Sequence, residues 1–364
     1  MIISRTPLRI SFIGGGTDLP AFYRREPGMV VSTAIDKYIY ITVNKKFDHW
    51  IRASYSVTEM VESVDEVRHD LIRESLRLLA LDGGIEITSI SDIPSQGTGL
   101  GSSSTYTVGL LNALHAYRGE YADEHRLAGE ACQIELDRCR KPIGKQDQYI
   151  AAFGGLKSIQ FNPDETVYVD PIICRSATIR RLEESLLLLY TGRTRSADTI
   201  LRQQTRLTAI DRGTEARARK LSELARDLRR ALCENRSDVV GELMHNAWET
   251  KKHMAPGITT EEIDSWYDRA RAQGAIGGKI LGAGGGGFLL LYAPLVHHQQ
   301  IIRALPELRR VPFHFEPQGS KIIYIEEPSP QPRTHGLEAD TAPMQAHSIS
   351  AEAVSAVLEG AGAA

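Results

Sequence analysis

Three glycine-rich segments in this sequence carry residue types and spacings that could do chemistry. The first, Pro94-Ser-Gln-Gly97-Thr-Gly99-Leu100-Gly101-Ser102-Ser103-Ser104, lies between a β-branched stretch, Ile85 to Ile90, and a run with helical spacing. Glycines at a strand-to-helix junction let the backbone curl until several N–H groups converge. The helix start adds the positive end of its dipole, and the two together suit phosphate oxygens. Ser102, Ser103 and Ser104 offer hydroxyls for phosphate or Mg²⁺, whereas a simple N-cap needs only one. The loop lacks the Gly-Lys-Ser/Thr of a Walker A motif, and its glycine spacing is not that of the dinucleotide fingerprint.

The second segment, Gly14-Gly15-Gly16-Thr17-Asp18, follows the apolar stretch Leu8 to Ile13. Such a turn lets a ligand approach the backbone closely, with Asp18 available to bond hydroxyls; an ordinary turn with Asp as its former is the competing reading. The third, Gly282-Ala-Gly284-Gly285-Gly286-Gly287, contains GxGxxG, yet a strand pattern, Phe288 to Tyr292, follows where a dinucleotide site needs a helix. Four successive glycines are costly to order, so close approach to a ligand is expected of them.

Several elements must position these loops. Strands are expected at Leu8–Ile13, Met29–Ile35, Tyr38–Val43 and Ile85–Ile90, with a helix over Asp65–Leu81. Helices follow from Ser102 and from an N-cap at Asp123 to about Cys139. Pro142 and Gly144 break that helix before a further turn, Asp147 to Phe153. Short strands near Lys157–Phe161 and Val167–Asp170 precede a buried strand, Ser185–Tyr190. Four helices, Ser196–Ile210, Thr214–Leu232, Asp238–Thr250 and Thr260–Gln273, lead back to strands at Ala275–Leu281, Phe288–Tyr292 and Lys321–Ile325. Strands, then helices, then strands suggest an α+β protein of two domains, at 1–165 and 166–327. Pro, Gly, Ala and Ser dominate 328–364, an expected mobile tail with one helix around Ala351–Leu358.

Bulk properties narrow the function. A chain of 364 residues can bury a core without metals or disulfides. The formal net charge of -3 calls for neither nucleic acid nor an anionic membrane as partner. Four cysteines, none in a CxxC pair, fit a reduced, cytoplasmic protein. No signal peptide is visible, and the longest apolar run is too short to span a bilayer.

In order and spacing the three loops resemble the GHMP kinase superfamily, over about residues 1–326. Its first motif is similar to Pro7-Leu-Arg9-Ile-Ser-Phe-Ile-Gly14-Gly-Gly-Thr-Asp18, its second to Pro94–Ser104, and its third to Lys279-Ile-Leu-Gly282-Ala-Gly-Gly-Gly-Gly287. The resemblance implies a two-domain fold: a ribosomal protein S5 domain 2-like N-terminal domain and a ferredoxin-like C-terminal domain. It implies ATP and Mg²⁺ as cofactors and a small-molecule acceptor. Gly14-Gly-Gly-Thr-Asp18, Gly144-Lys-Gln-Asp147-Gln148 and Tyr190-Thr-Gly-Arg193-Thr-Arg195-Ser-Ala look most like kinases that phosphorylate the anomeric hydroxyl of a heptose 7-phosphate. Gly15 and Gly16 stand where galactokinases carry Glu-His, which speaks against galactose.

By that resemblance Asp147 is the base and Arg9 the motif arginine beside it, keeping it ionised and steadying the transferring phosphoryl group. Pro94, Gly97, Gly99, Leu100, Gly101 and Ser102 to Ser104 hold ATP. Ser103 and Glu135 hold Mg²⁺, with Glu130 as the alternative carboxylate. Gly15, Gly16, Thr17, Asp18, Gly284 and Gly285 meet the sugar. A distal phosphate needs a basic clamp, for which Arg193, Arg195 and Lys279 are candidates. An octose 8-phosphate or an unphosphorylated sugar is the alternative acceptor. A non-catalytic sensor is disfavoured, because base and phosphate loop are both present. The sequence leaves the oligomeric state open, a homodimer included.

Overall fold

The computed structural model describes residues 1–94, 97–193 and 197–326; Arg195 and the tail lie outside the described residues. Seven strands come first: β1 (Ile2–Ile13), β2 (Gly28–Lys45), β3 (Ile51–Ser54), β4 (Thr58–Val61), β5 (Ile85–Ser91), β6 (Leu156–Phe161) and β7 (Val167–Pro171). Five follow: β8 (Leu186–Tyr190), β9 (Gly277–Ile280), β10 (Phe288–Tyr292), β11 (Arg309–Arg310) and β12 (Lys321–Ile325). The larger sheet runs β12-β1-β2-β5-β3-β4, and β6 joins β2 and carries β7 outside it; the smaller runs β11-β8-β10-β9. Within these sheets only β3 and β5 pair in parallel.

The β2 strand explains how one sheet has two wings. Residues 39–45 pair with β5, and 28–33 pair with β6. Two strands are expected here, Met29–Ile35 and Tyr38–Val43, with the charged Asp36-Lys37 between them. Instead the chain stays extended through a register shift opposite Pro7/Leu8. Lys37 Nζ donates to Asp36 Oδ1 at 3.0 Å, and the Asp36 N–H donates to His314 O at 2.9 Å, so the charged pair is satisfied without reversing direction.

Eleven helices are described: α1 (Pro20–Tyr23), α2 (Asp70–Leu78), α3 (Ser102–Tyr117), α4 (Glu124–Cys132), α5 (Gln146–Phe153), α6 (Ser176–Glu184), α7 (Ala197–Ile210), α8 (Arg212–Cys233), α9 (Val240–Lys251), α10 (Glu261–Ala272) and α11 (His298–Ala304). The helix expected over Asp65–Leu81 is split: a 3₁₀ turn at Val64–Glu66 precedes α2, whose cap is His69, accepting from the Ile72 N–H. Helix α3 is buried almost all round, with Val108, Leu110, Leu111 and Leu114 inaccessible. Gly109 allows this depth, since a Cβ there would lie 2.7 Å from Thr6 Oγ1. Strands β3, β4 and β11 and helices α6 and α11 were not foreseen in the sequence.

The helix expected to run from Asp123 to Cys139 changes character midway. Asp123 caps α4 by accepting from the Arg126 N–H at 2.7 Å. At Gln133 the winding widens into a π-helical segment that ends at Arg138, with the Cys139 N–H donating to Ile134 O. Such π segments frequently sit at functional sites. This one turns Glu135 fully into the interior. We propose the division between two domains near residue 166. Strands β7 and β12 lie beyond it and pair into the first sheet, and Met1–Glu326 packs as one compact unit.

Candidate active site

The phosphate loop reaches α3 through Gly97, Gly99 and Gly101, at φ of 67°, 77° and 77°, a left-handed conformation that favours glycine. Over it lies a cavity of about 590 Å³, lined on this side by Gly97, Thr98, Gly99, Gly101 and Ser102 to Ser104. The start of α3 therefore faces the cavity with its free N–H groups, as an anion site requires. Leu100 is buried and outside the lining; its carbonyl accepts the Arg9 N–H at 3.2 Å. Pro94 is exposed on the approach to the loop and also lies outside the lining.

The third glycine loop, between β9 and β10, has a different job from the one expected. A Cβ on Gly282 would lie 2.6 Å from Gly99 Cα, and one on Gly287 2.3 Å from Thr98 O. Gly284 abuts Ile258, whose carbonyl accepts the Gly285 N–H at 2.9 Å. These glycines thus brace the phosphate loop and the Ile258 turn by backbone contact. Gly284 and Gly285 do not line the cavity; Gly282 and Ala283 do. The expectation that Gly284 and Gly285 meet the sugar is corrected accordingly.

Arg9 and Asp147 meet below the loop. Arg9 Nε donates to Asp147 Oδ1 and Nη2 to Oδ2, both at 2.7 Å, while Nη1 donates to Gly99 O at 2.5 Å. The pairing is bidentate, the geometry in which Arg holds a carboxylate firmly. Arg9 is buried on β1, and Asp147 sits in the first turn of α5, with part of its carboxylate open to the cavity. Gly101 leaves room for the pair: a Cβ there would be 3.2 Å from both Arg9 Cγ and Asp147 Oδ2. One carboxylate oxygen is therefore next to the phosphate loop.

On the other side of Asp147 lies the first glycine loop. Asp18 Oδ1 accepts the Gly16 N–H at 2.8 Å, and Oδ2 accepts from Gln146 Nε2 at 3.0 Å. Burial pushes the Asp18 carboxyl above its usual range, and Asp147 adds to this. Gly144 is obligatory here, because a Cβ would fall 1.9 Å from Asp18 Oδ2. Gly15, Gly16 and Asp18 line the cavity. Thr17 does not: its hydroxyl donates to Gly14 O at 2.8 Å and accepts the Met29 N–H at 3.1 Å, fastening the turn to β2.

Ser103 Oγ donates to Glu135 Oε1 at 2.6 Å, and Gln148 Nε2 donates to Glu135 Oε2 at 2.7 Å. Burial raises the Glu135 carboxyl above its usual range. Lys141 Nζ donates to Ser103 Oγ at 3.0 Å and stands 3.8 Å from Glu135. Glu130 is elsewhere, bonded to His115 Nε2 at 2.6 Å and Arg126 Nε at 2.9 Å. Ser103 lines the cavity, and Glu135 lies buried directly behind it, so the two bring hard oxygen donors together, a set suited to Mg²⁺.

Of the expected basic clamp, Arg195 lies outside the described residues, and the other two members stand away from the cavity. Arg193 pairs at the surface with Glu262 at 2.8 Å, held there because its carbonyl accepts the Gly287 N–H. Lys279 on β9 donates to Ser11 O at 2.9 Å and so ties β9 to β1. Burial, with help from the Lys251 and Arg9 charges, pushes it down to about 7. Neither residue lines the cavity. Lys251 and Lys141 do, and sequence reasoning passed over both. Lys141 was findable from its place just before the Gly144–Gln148 segment. Lys251 ends an ordinary amphipathic helix and carries no local signal.

An anion-binding helix start that opens onto an anchored carboxylate and a hydroxyl-binding turn can bring a phosphate donor and an alcohol together. That is the arrangement of a phosphotransferase. The chain belongs to the GHMP kinases: residues 62–155 match the family model for the GHMP kinases N terminal domain, and 228–309 that for GHMP kinases C terminal. It is accordingly an ATP-using kinase with an alcohol group as acceptor. It is 28% identical over 316 residues to the D-glycero-alpha-D-manno-heptose 7-phosphate kinase of Campylobacter jejuni, across 84% of this chain and 93% of that one. A crystal structure of a D-glycero-D-manno-heptose 1-phosphate kinase from Bacteriodes thetaiotaomicron superposes with a TM-score of 0.74 at 25% identity, covering 90% of this chain and 100% of that one. Phosphomevalonate kinase of Streptococcus pneumoniae, solved with phosphomevalonate and AMPPNP, shares the fold, with a TM-score of 0.70 at 16% identity, 88% of this chain and 99% of that one. No helix among the described residues is long and apolar enough to cross a membrane.

Proposed function

We propose that this kinase transfers the γ-phosphoryl group of ATP to the anomeric hydroxyl of a heptose 7-phosphate, giving the 1,7-bisphosphate and ADP. The observation that carries the transfer is the place of Asp147, between the phosphate loop and the Asp18 turn. The choice of acceptor is supported by the length of the match to the Campylobacter jejuni kinase.

The loop glycines and the α3 N-terminus hold the donor's phosphates. Asp18 and the Gly15–Gly16 backbone orient the sugar hydroxyls. Asp147 accepts the proton of the attacking hydroxyl as the new O–P bond forms and the bridging P–O bond to ADP breaks. Arg9 fixes the carboxylate's orientation through two hydrogen bonds and directs one oxygen at the acceptor. Ser103 and Glu135 are the residues that would hold Mg²⁺. When bound, the ion would offset the negative charge of the donor's phosphates. We assign the reaction to the cytoplasm, where ATP is at hand.

An unphosphorylated sugar is the second reading, favoured by the absence of Arg193 and Lys279 from the cavity wall. Incubation with ATP, Mg²⁺ and a panel of seven- and eight-carbon sugars, with and without a terminal phosphate, decides between them through ADP release. Heptose 7-phosphate is expected to turn over with the highest kcat/KM. Preference for octose 8-phosphate or for the free sugars would replace the acceptor assignment, and silence across the panel would remove it.

A further inference from the structure

If the acceptor carries its own phosphate, something in the cavity must receive it, and two of the three side chains expected to do so lie elsewhere. Among the described residues three basic side chains line the cavity: Arg9, Lys141 and Lys251. Arg9 is committed to Asp147, and Lys141 to the Ser103–Glu135 pair. Lys251, the last residue of α9, has only neutral acceptors: Gly15 O at 2.9 Å and Gln204 Oε1 at 2.8 Å. An ammonium group has three N–H donors, so one stays available.

Gln204 marks the same spot. It is fully buried on α7, and its amide orientation is set by the bond from Lys251 to Oε1. Its other amide atom, Nε2, has no partner, although buried polar atoms are nearly always bonded. Both groups crowd Gly16: a Cβ there would lie 2.1 Å from Gln204 Nε2 and 3.1 Å from Lys251 Nζ. A buried cation with neutral partners and an amide donor without one, both at the sugar-binding turn, form a site for an anionic oxygen. Asp18, the nearby carboxylate, partly offsets the cation, and burial leaves Lys251 at about 8, so it is charged at neutral pH.

Resting on the proposed acceptor, we infer that Lys251, with Gln204, receives the phosphate that the sugar already carries and so determines specificity for a phosphorylated acceptor. Arg193 and Lys279 then serve the fold, while α7 and α9 read the substrate.

The test compares kcat and KM for D-glycero-D-manno-heptose 7-phosphate and for the same heptose without phosphate, in wild type and Lys251→Met. Loss of a charge-assisted hydrogen bond should raise KM for the phosphorylated sugar about 10- to 100-fold. The ratio of kcat/KM for the phosphorylated over the free heptose should fall about 10- to 100-fold, so preference for the phosphate collapses. An unchanged preference, or equal losses on both acceptors, overturns the inference. ATP binding by the variant reports that it is folded. Should Lys251→Met fail that check, Gln204→Glu, which neutralises the ammonium in place, is read by the same ratio. A wild-type enzyme inactive on heptose 7-phosphate would instead refute the acceptor assignment.

Discussion

Asp147→Asn removes one charge and almost no volume, and its consequences follow from the bidentate pair. In wild type both carboxylate oxygens accept from Arg9 at 2.7 Å. An asparagine keeps one acceptor and turns an NH₂ group towards the other guanidinium nitrogen. Arg9 keeps Gly99 O at 2.5 Å, so the arginine is not orphaned. Removing one partner of a buried pair costs about 3–5 kcal/mol. Here the Asp147 side chain is 22% exposed and the arginine retains a partner, which reduces the expected cost to about 1–2 kcal/mol. That is a melting-temperature drop of a few degrees, measurable by thermal shift. The base is lost altogether, and general-base contributions of about 10²- to 10⁴-fold set the expected fall in kcat. ATP affinity should hold or rise, because a negative charge leaves the neighbourhood of the phosphates. Steady-state kinetics beside nucleotide titration separates these effects. A variant with kcat within tenfold of wild type would refute the role given to Asp147, and one that loses ATP binding would make the residue structural.

Other expectations concern the groups around that pair. Gly101→Ala puts a Cβ 3.2 Å from both Arg9 Cγ and Asp147 Oδ2 at a left-handed φ, so kcat should fall about 10- to 100-fold with a small stability loss, read by kinetics and thermal shift together. Glu135→Gln keeps the bonding volume beside Ser103 but removes a charge from the metal donor set; the Mg²⁺ concentration for half-maximal rate should rise about tenfold or more. Lys279 is pushed down to about 7 by burial, so the unfolded chain binds more protons than the folded one between about pH 7 and 10.5. The penalty for burying its charge is therefore fully present below about pH 7 and shrinks as pH rises through that window. Lys279→Met should be stabilised relative to wild type most at pH 6 and less at pH 9, as melting curves at both would reveal.

The parts of the site that were legible in the sequence are those written in local chemistry. A phosphate cradle needs glycines and hydroxyls between a strand and a helix, and Gly97 to Ser104 supply them contiguously. The Asp18 turn and the Asp147 turn are likewise continuous segments. What was not legible depends on chain partners far apart. Strand β12 pairs with β1 across about three hundred residues, with Ile2 opposite Ile325, and no local pattern announces it. Glycine density reads the same whether a ligand or a backbone approaches, so Gly284 and Gly285 were assigned to sugar although Ile258 fills that space. Lys279 and Lys251 are both helix- or strand-borne lysines, and only the docking of α9 beside the Gly15 turn tells them apart. The wide turn that delivers Glu135 follows α4 without a break in composition, so the helical pattern alone predicted an exposed glutamate at least as well as a buried one.

The most direct measurement is the identity of the product. Purified wild-type protein, ATP, Mg²⁺ and D-glycero-D-manno-heptose 7-phosphate, followed by ³¹P NMR, should give ADP together with a second sugar phosphate signal coupled to the anomeric proton. A phosphate on any other hydroxyl, or ATP left intact beside unchanged heptose 7-phosphate, would contradict the account.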